Sequence, residues 1–330
     1  MSRFTRISAL VIMVVLMGLS PALPAFAQAS GDPLCNGLTA ADCELLSAAG
    51  DAMDDVGSLS LPSWSLALAL MVQGQGIDLL TSGSAPALDF AEPPTSHFVI
   101  ESAVLTTPDG VESGGLEFIT QDEMVYLKVN GEWYGGPAGE VAELGETGEM
   151  PELDDLEGLG ELDLNVDLSS AISTVRGADV DMKGQSMATF ATTLDPAKAA
   201  AALLMDPSIA NALALALSGA DLGAEPLAPQ DLEQLGAMFG PMLSKSSISF
   251  EQWVGLDDSL IHKITLNVAI DLDLTLFAVE LGVVTGSLVL ESEMADFNQK
   301  FEVAVPESYK SLDDLNLEGL EDLEELELEL

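Results

Sequence analysis

From Ser63 to Leu70 the chain reads SWSLALAL, with Trp64, Leu66, Leu68 and Leu70 at alternate positions and only Ser or Ala between them. A period of two is the period of a strand, and it places the four large side chains on one face. Further strand-like runs follow at Ala87–Ala91, His97–Thr106, Gly115–Thr120 and Met124–Val129. Pro93-Pro94, Pro108-Asp109-Gly110 and Asn130-Gly131 separate them as turn signals. Gly74-Gln75-Gly76 and Gly114-Gly115 read as turns or bulges rather than phosphate loops. The first half is therefore expected to be an antiparallel meander.

Helical patterns flank and interrupt it. Ala41–Val56 reads as a short helix, and Ala178–Leu194 reads again as strand. Asp195-Pro196 then opens a helical section, because an aspartate cap followed by proline at the first helical position suits a helix start. Pro207–Leu217 and Gln230–Leu243 give two further helices, whose apolar positions include Leu203, Leu204, Leu213, Leu217, Leu235, Met238, Phe239 and Met242. Long strands are expected at Ile248–Val254, Leu260–Leu274, Gly282–Glu293 and Lys300–Val305. The order helix, strands, helices, strands predicts an α+β fold, an antiparallel curved sheet with helices on one face or at its mouth.

Charge narrows the function. Lys and Arg total 10 against 55 Asp and Glu, a formal net charge of -45. Repulsion excludes nucleic acid and rules out binding an anionic membrane through a basic patch. Yet the chain is 48% hydrophobic with a mean hydropathy of +0.32, which is ample material for a core. The acid concentrates in residues 140–167, read as a loop insert, and in a Leu/Glu-rich tail over 311–330. Neither acidic block holds a basic residue, so both read as solvated segments. The EF-hand pattern is absent from them, leaving only diffuse cation binding as an alternative.

The first 27 residues read as a signal peptide. Arg3 and Arg6 precede an apolar run from Ile7 to Leu19, and Ala25-Phe26-Ala27 offers a small-x-small cleavage site. No later stretch reaches the roughly 18 apolar residues of a membrane helix. An exported protein of the cell envelope or exterior is expected. Cys35 and Cys43 are the only cysteines, and in an oxidising compartment they are expected to pair as a disulfide. Cys35 lies beyond the cleavage site, so no convincing lipobox anchors the chain.

Several segments together resemble a known family. These are the helix before a Trp-bearing strand, the run Met124-Val125-Tyr126-Leu127-Lys128-Val129-Asn130-Gly131-Glu132-Trp133-Tyr134, and the Asp195-Pro196 helix start. Glu251-Gln252-Trp253-Val254-Gly255-Leu256-Asp257 and Ser292-Glu293-Met294-Ala295-Asp296-Phe297, with Val305-Pro306, complete the likeness. They are similar to the mycobacterial and actinobacterial lipoproteins of the LppX/LprAFG type, which carry glycolipids and acylated lipids and are related to periplasmic lipoprotein carriers. The resemblance covers about Ala41 to Pro306 and implies a half-open β-barrel with helices as a lid over an apolar cavity. The carrier-like domain would span residues 28–310. The acidic insert and tail are foreign to the family pattern.

A lipid carrier has a physical requirement that this chain can meet. Exposing an acyl chain to water costs roughly 0.8 kcal/mol per methylene, so a soluble carrier must offer an apolar concavity. Trp64, Leu66, Leu68 and Leu70 are expected to line it, with Phe118, Val125 and Leu127 from the meander and Ile264, Leu266 and Val268 from the later strands. Leu213, Leu217, Met238, Phe239 and Met242 would line it from the helices. The expected partner is a lipid or other amphiphile, taken up by a monomer with transient membrane contact. The alternative is a non-enzymatic envelope structural or interaction module whose barrel is packed solid.

Catalytic signals are absent from the sequence. His97 and His262 sit in strand patterns without spacing to a ligand set, and no G-x-S-x-G or H-E-x-x-H motif occurs. The chain is read as no enzyme, with no metal site and no cofactor.

Overall fold

The computed structural model describes residues 33–72, 74–108, 110–138, 168–204, 240–273 and 283–314. A short 3-10 turn, Pro33–Cys35, leads to helix α1, Ala40–Asp54. The first group of strands is β1 Ser58–Val72, β2 Gln75–Asp89, β3 Thr95–Thr107, β4 Gly110–Gln121, β5 Met124–Val129 and β6 Glu132–Pro137. The second is β7 Ile172–Arg176, β8 Val180–Met182 and β9 Gln185–Leu194, after which helix α2 spans Pro196–Leu204. β10 Ser247–Gly255, β11 Ile261–Asp273, β12 Val283–Ala295 and β13 Lys310–Ser311 complete the set.

All of them join one curved sheet that does not close. Its order is β13-β6-β5-β4-β3-β2-β1-β12-β11-β10-β9-β7, with β8 paired to β9. Every pairing is antiparallel except that of β13 with β6. The two edges are covered locally. At one, Asn36 donates its amide to the carbonyls of Ser169 and Ile172, both at 2.7 Å, and its own carbonyl accepts from Thr174 N–H. At the other, Lys310–Ser311 lie against Tyr134 and Gly135, and Leu312 buries to 2% exposure with Val125, Val129 and Tyr134. A covered edge does not template pairing with a second chain.

Local chemistry fixes the turns. Asn130-Gly131 takes φ of 54° and 82°, the left-handed pair that a two-residue hairpin needs. Thr39 caps α1, its hydroxyl accepting from Asp42 N–H at 3.3 Å. Asp195 caps α2, accepting from Lys198 N–H at 3.1 Å. The Cys35–Cys43 disulfide is formed, with Cα atoms 5.1 Å apart, and it ties the edge-covering loop to the first turns of α1.

Several sequence expectations change. The strand expected at Ala87–Ala91 is the end of β2, which begins right after the hairpin at Gly74. The single strand expected over Ala178–Leu194 is a hairpin, β8 and β9, turning at Lys183-Gly184 with both φ positive. Lys300–Val305 joins no ladder, and the sheet edge is taken by β13 instead. β7 was not legible as a strand, and it forms by pairing with β9. The helices expected at Pro207–Leu217 and Gln230–Leu243 lie outside the described residues except for the helical turn 240–243, as do the acidic insert and all but the start of the tail.

Candidate functional site

Directly paired residues in an antiparallel ladder share a face, so the register sorts the side chains. One row runs from Gly83 through Trp64, Ser292, Ile264 and Gln252 to Phe190 and Arg176. The next contains Ala103, Thr81, Leu66, Leu290, Leu266, Phe250, Thr192 and Thr174. Beyond it lie Leu105, Leu79, Leu68, Leu288, Val268 and Ile248. Phe118 pairs with Leu127, and Val125 follows two residues earlier on the same side. All ten strand residues expected to line a cavity therefore share this face, and it is the inner face because α1 packs on it.

The two ends of that face differ. At one end Leu46 and Ala49 of α1 pack with Val56, Leu59, Phe190, Val254, Ile264 and Met294 in a closed cluster. Arg176 holds the helix there, donating to Asp42 at 2.9 Å and also to Asp179. Toward the other end burial falls away. Leu68, Leu266 and Val268 are half-buried, and Leu70, Ile77 and Ile270 are 41%, 44% and 40% exposed. Across the sheet's back from this end, Met71 and Leu80 are exposed as well.

Between the two ends the face carries polar atoms. Trp64, Thr81 and Gln252 are buried to 8%, 4% and 8% exposure, and Trp64 Nε1, Thr81 Oγ1 and Gln252 Oε1 have no hydrogen-bond partner. Ser292 is buried on the same row as Trp64 and Gln252. By contrast Thr174 and Thr192, one row on, satisfy each other at 2.9 Å. A buried polar group without a partner costs about 1–3 kcal/mol. Glu112, opposite Leu105 on this face, also leaves its Oε2 without a partner.

The outer face is polar and laced with ion pairs. Glu117 accepts from Lys128 at 2.8 Å and contacts His97 at 3.0 Å, while Lys128 lies over the Trp133 ring. Burial would raise the Glu117 carboxyl, but those two partners hold it below its ordinary value. Lys263 bridges to Glu291 and covers Trp253 in the same way. Away from the outer face, at the bulge where β11 passes Trp253 and Val254, His262 contacts Asp258 at 3.0 Å and Gln185 at 3.3 Å, with Phe297 edge-on at 5.1 Å. Asp258 is desolvated, yet the Leu260 N–H, the Gln185 amide and His262 bring its carboxyl below the usual range. Each histidine thus has a partner that orders a strand or turn. Among the described residues no group of three or more His, Cys, Asp or Glu side chains could hold a metal ion.

Of the other residues singled out from the sequence, Met242 is buried at the entry to β10, while Leu213, Leu217, Met238 and Phe239 lie outside the described residues. Sequence reasoning missed Leu79, Leu105 and Leu288, which complete the apolar rows. It also missed Thr81 and Gln252. Their only signal is a polar residue at an inward position, visible once the register is known.

No protein-family model matches the chain, and comparison with curated proteins returns no match. Comparison with solved structures returns the family that the sequence resembles. Mycobacterium tuberculosis lipoprotein LppX is 13% identical, with 84% of this chain and 100% of that one covered at a TM-score of 0.31. LprF from Mycobacterium bovis is 14% identical, with 80% and 95% covered at 0.34. A domain named for outer-membrane lipoprotein sorting, from Vibrio parahaemolyticus, is 8% identical, with 84% and 97% covered at 0.21. At these values the likeness bears no weight on function, which is argued below from the chain's own faces.

Proposed function

We propose that this protein is a non-enzymatic carrier or chaperone that holds a lipid or other amphiphile against the inner face of its half-barrel. One observation carries the reading: the apolar inner face is sealed by α1 at one end and left half-exposed at the other, along Leu68, Leu70, Ile77, Val268 and Ile270. A solid core would bury these residues as fully as it buries Ile264 and Val254. Water contact on that face is costly at about 25 cal/mol per Å², and an acyl chain removes it. The segments read from the sequence as helices over Pro207–Leu217 and Gln230–Leu243 belong to this proposal as the roof, with Met242 at their end. The expected transient membrane contact falls at the open end, where Leu70, Met71, Ile77 and Leu80 are exposed. The signal peptide and the formed disulfide favour work outside the cytoplasm.

Native mass spectrometry of the protein purified from an envelope fraction tests the reading. A co-purifying lipid is expected. A ligand-free protein that also takes up no hexadecane or fatty ester would leave the solid-packed module as the better account.

A further inference from the structure

The polar belt on the inner face has no role in a purely apolar pocket. Trp64 and Thr81 lie on adjacent strands one row apart, and Gln252 shares Trp64's row three strands along the curved sheet. All three are at least nine-tenths buried and present an unpartnered N–H, hydroxyl and amide oxygen. The neighbouring Thr174–Thr192 pair shows that this sheet can satisfy inward hydroxyls internally. Here it does not.

Building on the carrier reading, we propose that this belt seats the polar end of an uncharged amphiphile bearing both an ester or amide carbonyl and a free hydroxyl. The Trp64 indole N–H donates and needs an acceptor, which a carbonyl supplies. The Gln252 amide oxygen accepts and needs a donor, which a hydroxyl supplies; the Thr81 hydroxyl serves either. A net anionic head is disfavoured. The only cation on the row, Arg176, is neutralised by Asp42 and Asp179, although its buried Nε is left without a partner, and Glu112 adds a further carboxylate to the face on the row of Leu105 and Leu68. The head therefore sits deep, against the end that α1 closes. The chain runs along Leu66, Leu68, Leu79 and Leu288 toward the open end, six residues or about 20 Å from Trp64 to Leu70.

Binding of four probes to the full chain tests this: 1-oleoylglycerol, methyl oleate, hexadecane and dioleoylphosphatidylglycerol. The wild type is expected to bind 1-oleoylglycerol roughly tenfold tighter than methyl oleate, the worth of one or two hydrogen bonds. It should bind the phospholipid more weakly than either. Thr81→Val and Gln252→Leu should each bring the 1-oleoylglycerol to methyl oleate ratio close to one. Equal affinities for those two probes in the wild type, a preference for the phospholipid, or variants that keep the full ratio would each overturn the inference. In those cases methyl oleate and hexadecane would still bind, leaving the carrier reading intact. Failure of all four probes would remove the carrier reading and this one with it. The wild-type ratio decides the matter even if a variant does not fold.

Discussion

A Cβ at Gly83 would lie 1.9 Å from the Val99 carbonyl oxygen, so the close approach of β2 to β3 exists only because residue 83 has no side chain. Gly83→Ala should cost about 3 kcal/mol in denaturant unfolding, as forced overpacking does. The contrast between the two ends of the inner face is also a contrast between residues. Leu68→Arg should abolish lipid uptake while far-UV circular dichroism stays native, because its head can reach water at the open end. Ile264→Arg, under α1, should instead unfold the protein by burying an unpaired charge. If Leu68→Arg unfolds it equally, the open end is not open. Asp258 supplies a pH signature. Its carboxyl is depressed in the folded state, so its stabilisation is complete above the ordinary aspartate value and is lost as pH falls through the lowered one. Thermal melts of Asp258→Asn should lose that part of the acid dependence and no stability dependence near pH 7.

At the scale of elements, α1 is held by three unlike devices: the Thr39 cap, the Arg176–Asp42 ion pair and the Cys35–Cys43 disulfide. The disulfide closes a loop of eight residues' separation, worth roughly 2.5 kcal/mol in chain entropy. Reduction should lower the melting temperature and speed amide exchange in α1 and β7 before it affects β3 and β4. The strap at the other edge works differently. Tyr309 stacks edge-on to Tyr126 at 5.2 Å, Lys310 bridges to Glu132 at 2.7 Å, and Leu312 inserts beside Val125 and Tyr134. The exposed ion pair contributes little, so the burial of Leu312 is the main term. Leu312→Ala should cost about 2–4 kcal/mol, whereas Lys310→Ala should leave the unfolding transition nearly unchanged.

For the whole molecule, a net charge of -45 sets up repulsion between copies that opposes association through the exposed apolar residues at one end of the sheet. Deleting Asp313–Leu330 retains Leu312 and removes Asp, Glu and Leu residues with Asn316 and Gly319, and no basic residue. Lipid binding should survive and self-association, followed by light scattering, should rise, most at high salt where the remaining repulsion is screened. Loss of lipid binding in that truncation would place the tail at the site itself.

Period-two alternation was enough to read β1, β3, β4, β5 and the later strands, since a strand half-buried on one face carries its signature locally. Caps and turns were equally legible at Asp195 and Asn130-Gly131, where a side chain or a glycine acts on its own neighbours. The Cys pair was readable because only two cysteines exist. The rest is not local. Ile77–Pro86, between the Gly74-Gln75-Gly76 turn and the strand expected at Ala87–Ala91, carries no clear alternation and becomes strand because β1 and β3 pair with it. β7 and β13 are strands only by virtue of their partners. Thr81 and Gln252 are ordinary strand residues until the register carries them onto one buried belt. Which rows face inward, where α1 closes them and where they are left open depend on contacts between residues as far apart as Asp42 and Arg176, and no local pattern contains those.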